Sequence, residues 1–267
     1  MSLTLAAALI ASADRLLVCA GAGMGVDSGL PDFRGDRGFW RAYPPYERLG
    51  LRFVELADPV HFENDPPLAW GFYGHRLALY RSTAPHLGFS VLTRWASEMD
   101  TRVFTSNVDG QFQRAGFAED RVVEVHGSIH HLQCTLPCSD LVWPADQVDI
   151  EVDPETMRAV GDLPACPMCG ALARPNILMF GDFGWVPDRS QATLDLMTSW
   201  LSDNRGRLVV LELGAGTSVP TVRGFAEQAG GHLIRINPRE AEIRSTDGIS
   251  IAMPALAALS ELDALVG

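Results

Sequence analysis

The chain has 267 residues, 47% of them hydrophobic and 20% charged, with a formal net charge of −12 at neutral pH. That length accommodates one large α/β unit, or one carrying a smaller inserted unit, and the composition excludes a disordered chain. The acidic balance disfavours sequence-independent binding to nucleic acid, which needs basic groups to displace counterions from phosphates; it suits a basic peptide, although the same charge also serves solubility.

No apolar run reaches the length of a membrane span. The N-terminal residues lack a basic region and run straight into a glycine loop, unlike a secretory signal. A cytoplasmic protein with neither membrane nor nucleic-acid partners is expected.

Short apolar runs ending in glycine or a polar turn predict buried parallel strands at 15–23, 102–107, 121–127, 176–181, 208–216 and 232–237. Helical stretches at 87–99, 189–202 and 219–229 alternate with them, and 254–266 closes the chain. This alternation predicts an α/β fold with a doubly wound, parallel, Rossmann-like sheet. Two stretches break the rhythm. Residues 36–85 are rich in aromatics and proline, with a helix expected around 68–80, and residues 130–175 hold four of the five cysteines. We therefore expect a large lobe of about 1–35, 86–129 and 176–267, and a second, smaller lobe. The smaller lobe combines a helical insertion at about 36–85 with a zinc-ribbon-like insertion at about 130–175, and the two lobes meet at a fixed cleft.

The first strand runs into Gly21-Ala22-Gly23 and then Met24-Gly25-Val26-Asp27-Ser28-Gly29. Small residues here let the backbone approach a pyrophosphate at a helix N-terminus. Val26 stands where the usual dinucleotide fingerprint wants glycine or alanine, so an ordinary dehydrogenase site is not supported, and a tight turn without ligand remains open at this point. His126 closes an apolar strand at the carboxyl end of the sheet, where open α/β folds place their ligands. Cys134 and Cys138 are separated by three residues and Cys166 and Cys169 by two, which fits a tetrahedral structural zinc site. Disulfides or an empty remnant are the alternatives, and His130 and His131 are candidate replacements for one thiolate. Cys19, alone on a core strand, reads as a small buried hydrophobe.

GAGMGVDSGLPDFRGDRGFWR (21–41) is followed in order by TSNVD (105–109), VHG (125–127), CPMCG (166–170), ARPNILMFGD (173–182), GTS (216–218) and IN (236–237). This series resembles the signature motifs of the sirtuins, NAD-consuming protein lysine deacylases. The resemblance implies NAD contacts from Gly21, Ala22, Gly23, Asp32, Phe33, Arg34, Ser106, Asn107, Asp109, Gly216, Thr217, Ser218 and Asn237, and a structural zinc ion on the four cysteines. Asp109 as a helix cap, Asp32 as a turn residue and Arg34 in a surface ion pair are bland roles compatible with those contacts. His126 is implied as general base, a role that suits an imidazole of ordinary pKa about 6.5. In such enzymes nicotinamide leaves NAD as the acyl oxygen attacks the ribose carbon, and the base then activates a ribose hydroxyl. The products are free lysine and O-acyl-ADP-ribose. The substrate peptide lies as a strand between two segments, here Phe180-Gly181 and Val219-Pro220. All 21 basic residues of this chain are arginine, so an acyl-lysine partner has to be another protein.

Tyr73 and Arg76 lie three residues apart on one expected helix face and resemble the acyl-selecting pair of the sirtuin branch that removes succinyl, malonyl and glutaryl groups. Gly38-Phe39-Trp40-Arg41 also looks like that branch. A guanidinium grips a distal carboxylate while a phenol donates a further hydrogen bond, whereas an inward-packed tyrosine beside a solvated arginine is the alternative. The chain departs from the family pattern at Gly25 (usually serine), at Ser106 (usually glutamine) and at Gln111-Phe112 (usually Leu-His). PHLGF (85–89) stands for Pro-Asn-x-x-His, and the GDFGWVPDR and GISIAMPAL segments match poorly. These departures leave open an NAD glycohydrolase or ADP-ribosyltransferase on the same scaffold, and a non-catalytic NAD or ADP-ribose sensor.

Overall fold

In the computed structural model the described residues are 2–31, 35–136, 138–203, 205–243 and 248–267. The chain starts with α1 (Ser2–Ala11) and β1 (Arg15–Ala20), followed by five helices: α2 (Gly35–Ala42), α3 (Pro44–Arg48), α4 (Phe53–Leu56), α5 (Val60–Asn64) and α6 (Pro66–Ser82). Next come α7 (Leu87–Glu98), β2 (Asp100–Thr105), α8 (Gln111–Arg114), β3 (Val122–Glu124) and β4 (Gly127–Cys134). Short strands β5 (Val142–Pro144), β6 (Glu151–Val152) and β7 (Ala159–Val160) precede β8 (Ala173–Ile177). The chain ends with α9 (Asp188–Ser202), β9 (Leu208–Leu213), α10 (Thr221–Gln228), β10 (His232–Ile236), β11 (Ile249–Ile251) and α11 (Ala255–Val266).

Six strands form one sheet in the order β11-β10-β9-β1-β2-β3, and every pairing is parallel. Alternation along β1 feeds two layers. Leu16, Val18 and Ala20 pack with Ile10 of α1, Trp95 of α7 and Leu259 of α11, while Leu17 and Cys19 face Trp200 of α9 and Val222 of α10. Helices on both faces make the sheet doubly wound, as the sequence pattern predicts. Cys19 is fully buried on the central strand.

A second core lies outside the sheet. Phe39, Tyr43, Tyr46 and Phe72 make a ring cluster that joins α2, α3 and α6, and Leu132 of β4 and Ala173 of β8 pack into the same core. The expected helix around 68–80 runs as α6, with Asp65 capping it through the Leu68 amide at 3.4 Å and prolines filling its first turn. No helix among the described residues is long and apolar enough to cross a membrane.

Three expectations need correction. The run at 176–181 is not a strand of the parallel sheet: β8 ends at Ile177 and pairs antiparallel with β4, Gly127 opposite Ile177. An apolar run says nothing of direction, and residues beyond it turn outward, Phe180 donating its amide to the Ala57 carbonyl at 2.9 Å. The strand expected at 121–127 stops at Glu124, so His126 stands two residues beyond it in a turn. After β1 the chain makes two short 3₁₀ turns, Ala22–Met24 and Val26–Ser28, instead of opening a helix.

Gly71 of α6 fixes how closely that helix approaches the segment before β7, because a Cβ there would collide with the Met157 carbonyl oxygen. Alanine normally favours a helix over glycine by about 1 kcal/mol. Here the collision outweighs that gain. Gly71→Ala is expected to lower the melting temperature by several degrees, on the scale of about 1–3 kcal/mol for overpacking, and thermal melts followed by circular dichroism check it.

Candidate active site

The site is built at the carboxyl ends of β1, β2 and β9, where the strand order changes direction. The loops after β1 and β9 touch through their glycines. A Cβ on Gly21 would lie 2.7 Å from the Ala215 Cα, and one on Gly23 2.7 Å from the Gly214 Cα, so neither position admits a side chain. The Gly23 amide donates to the Gly214 carbonyl at 3.0 Å, and the Gly21 amide to Leu213 at 2.9 Å.

The end of β2 is bonded onto this platform. The Thr105 hydroxyl donates to the Ala20 carbonyl at 2.9 Å, and the Asn107 side-chain amide donates to the Gly21 carbonyl at 3.0 Å. Asp109 is buried and its Oδ1 accepts from the Gln111 amide at 3.0 Å, the expected cap on the following helix. Burial is the main reason that its carboxyl pKa is pushed up to about 6, with Arg76 pulling against the rise. His126 is held through its backbone, its carbonyl accepting from the Leu178 amide at 2.9 Å. Gly127 adopts φ 77° directly against Asn176, where any side chain would collide. Burial lowers the His126 pKa from its ordinary value, so the imidazole is neutral at pH 7.

A cleft of about 800 Å³ joins these ends to the second core. Of the residues named from sequence it brings together Gly21, Ala22, Ser106, Asn107, Asp109, His126, Gly216 and Ser218 with Tyr73, Arg76, Phe180 and Val219. Gly23, Thr217, Gly181 and Asn237 are not on its wall. Asp32, Phe33 and Arg34 lie outside the described residues. Asn237 is fully buried: its side chain donates to the Ala215 carbonyl at 2.9 Å and accepts from the Arg239 and Glu240 amides at 3.0 Å each. It thus shapes the turn that carries Arg239 and Glu240 to the cleft, two residues that the motif reading missed. The Thr217 hydroxyl donates to Glu240 Oε1 at 2.6 Å.

Tyr80 also lines the cleft and was missed, although its spacing four residues after Arg76 on α6 was a readable signal. Arg76 is 6% exposed rather than solvated. It donates from Nε and Nη2 to the Tyr80 hydroxyl at 3.1 and 2.6 Å. The Tyr73 hydroxyl is buried with no hydrogen-bond partner among the described residues.

Away from the cleft, the thiols of Cys134, Cys138, Cys166 and Cys169 all lie within 4.8 Å of one another. Cys134 and Cys169 are 3.6 Å apart and Cys138 and Cys166 3.7 Å apart. Four sulfurs at about 2.3 Å from a tetrahedral zinc ion stand close to that spacing, so the donor set suits structural zinc. All four are free cysteines. Neither His130 nor His131 belongs to the cluster, and His130 Nε2 is within 3.0 Å of the Asp109 carbonyl oxygen.

The Sir2 family model matches residues 21–198. The chain belongs to the Sir2 family. It is 30% identical over 258 residues to NAD-dependent protein deacylase 1 of Pseudomonas aeruginosa, covering 95% of each chain. It is 33% identical to NAD-dependent protein deacylase 2 of Pyrobaculum aerophilum, covering 88% of this chain and 84% of that one. Among solved structures it resembles a Sir2 homolog–NAD complex, with a TM-score of 0.73 and 26% identity, covering 98% of this chain and 93% of the other.

Two outcomes follow from this geometry. Purified protein is expected to carry one zinc per chain, and a chelator to expose four titratable thiols while melting the segment around β4 and β8. Metal analysis with thiol titration checks this. Asp109 gives a pH signature: the folded state holds its proton up to about pH 6, against an ordinary value of 3.8. The folded state therefore binds more protons across that window, and stability falls as pH rises through it, by about 3 kcal/mol above pH 6. Asp109→Asn is expected to raise the melting temperature by several degrees at pH 8 and by little at pH 4, as calorimetry at the two pH values would show.

Proposed function

We propose that this NAD-dependent protein deacylase of the Sir2 family acts on acyl-lysine side chains of other proteins and prefers acyl groups that end in a carboxylate. The observation that carries the preference is the Arg76 guanidinium, buried in the same cleft as His126 and beside the unpartnered Tyr73 hydroxyl. Burying such a cation costs several kcal/mol, in the order of magnitude typical of ions taken out of water. Aromatic faces recover part of that cost, the guanidinium carbon standing 5.2 to 5.9 Å from the ring centroids of Phe53, Phe72, Tyr73 and Tyr80. A carboxylate at the end of the acyl chain supplies the opposite charge and an acceptor for the Tyr73 O–H. An acetyl methyl supplies neither.

Bound NAD supplies a ribose carbon that loses nicotinamide and becomes open to the acyl oxygen. The protein's part is positional and acid–base. His126, neutral at pH 7 because burial lowers its pKa, accepts a proton from a ribose hydroxyl. Gly21, Ala22, Ser106, Asn107, Gly216 and Ser218 bring backbone and short polar side chains to the dinucleotide side of the cleft. Phe180 and Val219 stand half exposed at its mouth, which suits a substrate strand paired between them. The Phe180 amide is already bonded to Ala57, so pairing on that side draws on its carbonyl or on Gly181. Four free thiols gathered as a metal site fit a reducing, cytoplasmic setting.

The test uses the purified protein, NAD and peptides that differ only in carrying succinyl- or acetyl-lysine. Nicotinamide release is expected to depend on peptide and kcat/KM to favour succinyl-lysine. Arg76→Met is expected to cut the succinyl-to-acetyl ratio by roughly 10- to 100-fold, the range for losing a hydrogen bond to a charged group. A wild-type preference for acetyl-lysine overturns the acidic-acyl reading. Nicotinamide release without peptide marks a glycohydrolase or transferase, in which Ser106 is the first residue to examine, and no release marks a sensor.

A further inference from the structure

We propose that Tyr80 is a positioning residue of the acyl pocket, holding one edge of the Arg76 guanidinium so that the acyl carboxylate is received on the other. The inference rests on the acidic-acyl reading above and deepens it. Tyr73, Arg76 and Tyr80 follow one another at spacings of three and four residues on α6, so they share a stripe of the helix, and all three are buried on the cleft wall.

The two N–H groups that reach Tyr80 belong to the same side of the guanidinium. Nε at 3.1 Å and Nη2 at 2.6 Å converge on one phenol oxygen. A carboxylate forked across Nε and Nη2 would have to displace that oxygen, whereas one arriving at Nη1 and the second Nη2 hydrogen leaves it in place. The end of α6 that carries Tyr80 is itself anchored through its backbone. Arg114 Nη1 donates to the carbonyls of Tyr80, Arg81 and Thr83 at 2.8, 2.7 and 2.9 Å, fixing the end of α6. Arg81 adds two bonds in the opposite direction, to Val148 and Ala145 at 2.5 and 2.7 Å.

A guanidinium held in one orientation loses less freedom when it binds, and it offers its donors at one depth. Depth sets acyl length. One methylene more or less displaces the carboxylate by more than a hydrogen bond tolerates, so malonyl, succinyl and glutaryl groups are ranked steeply. Removing the phenol oxygen lets Arg76 adjust to each of them.

The experiment measures kcat and KM for malonyl, succinyl, glutaryl and acetyl peptides with the wild type, Tyr80→Phe, Arg76→Met and the double variant. Tyr80→Phe is expected to lower the ratio of the best acidic peptide to acetyl by about tenfold, through KM, and to flatten the ranking by chain length. In the Arg76→Met background the same change is expected to leave the ratio alone, since the hydroxyl then has no guanidinium to hold. A structural role for Tyr80 would move the ratio equally in both backgrounds, and that overturns the proposal. So does a Tyr80→Phe enzyme with the wild-type ratio and ranking. If the wild type itself prefers acetyl-lysine, the acidic-acyl reading fails and the role of Tyr80 fails with it. A wild type that prefers acidic groups beside an unaffected Tyr80→Phe removes only Tyr80.

Discussion

Contact between two loop backbones governs the cleft. The turns after β1 and β9 approach until a Cβ on Gly214 would stand 2.5 Å from the Met24 amide nitrogen, a separation only glycine permits. Asn107 reaches back to the Gly21 carbonyl, Thr105 to Ala20, and Asn237 to Ala215, so the ends of four adjacent strands are tied to one platform. The glycines that read as phosphate-binding residues thus already have a structural job. The two demands agree, because a backbone bare enough for loop to touch loop is also bare enough to receive a pyrophosphate. A side chain at any of these glycines would disturb the site through the fold as much as through the ligand.

The sheet was legible because its strands are buried on both faces and read as unbroken apolar runs, and the zinc ligands because thiolate spacing has few other uses in a chain without disulfides. Direction was not legible at β8, since an apolar run of five residues carries no sign of whether its partner is parallel. β11 was passed over because three residues leave almost no pattern. At the site, motif order named residues with ligand-like side chains and passed over those that carry no motif. Asn237, expected to contact the cofactor, has its side chain bonded within a turn, while Arg239 and Glu240, which that turn presents, had no motif of their own.

Buried charge is handled in two ways. Glu212 and Arg235 sit opposite one another on β9 and β10 and meet in a double hydrogen bond of 2.7 and 2.8 Å, with Glu227 adding a third carboxylate contact to the arginine. That network is satisfied within the chain and ties β9 and β10 to α10. Arg76 and Asp109 are buried on the wall of the cleft, and burial raises the Asp109 pKa as it does those of Glu212 and Glu124. What sets this pair apart is its place on the cleft wall, where a ligand's charge can reach it.

Two of the departures from the family pattern lie against each other. Phe89 and Phe112 occupy the two positions where that pattern carries histidine, and their rings pack edge to face with centroids 5.0 Å apart, Phe112 touching Phe117 in turn. Both rings are buried in the core beside the sheet, where an apolar ring needs no hydrogen-bond partner. An imidazole stands three residues before Phe89, at His86. There Nδ1 accepts from the Gly88 amide at 3.0 Å, so Nε2 carries the proton and donates to the Met24 carbonyl at 2.9 Å, tying α7 to the turn after β1. Gly25 completes the set. A Cβ there would lie 3.6 Å from Asp109 Oδ2, so the serine usual in the family would bring a hydroxyl toward that carboxylate. Asp109, Arg76 and Tyr80 all stand buried on the cleft wall, with four aromatic rings around the Arg76 guanidinium, where a ligand's charge is felt most strongly.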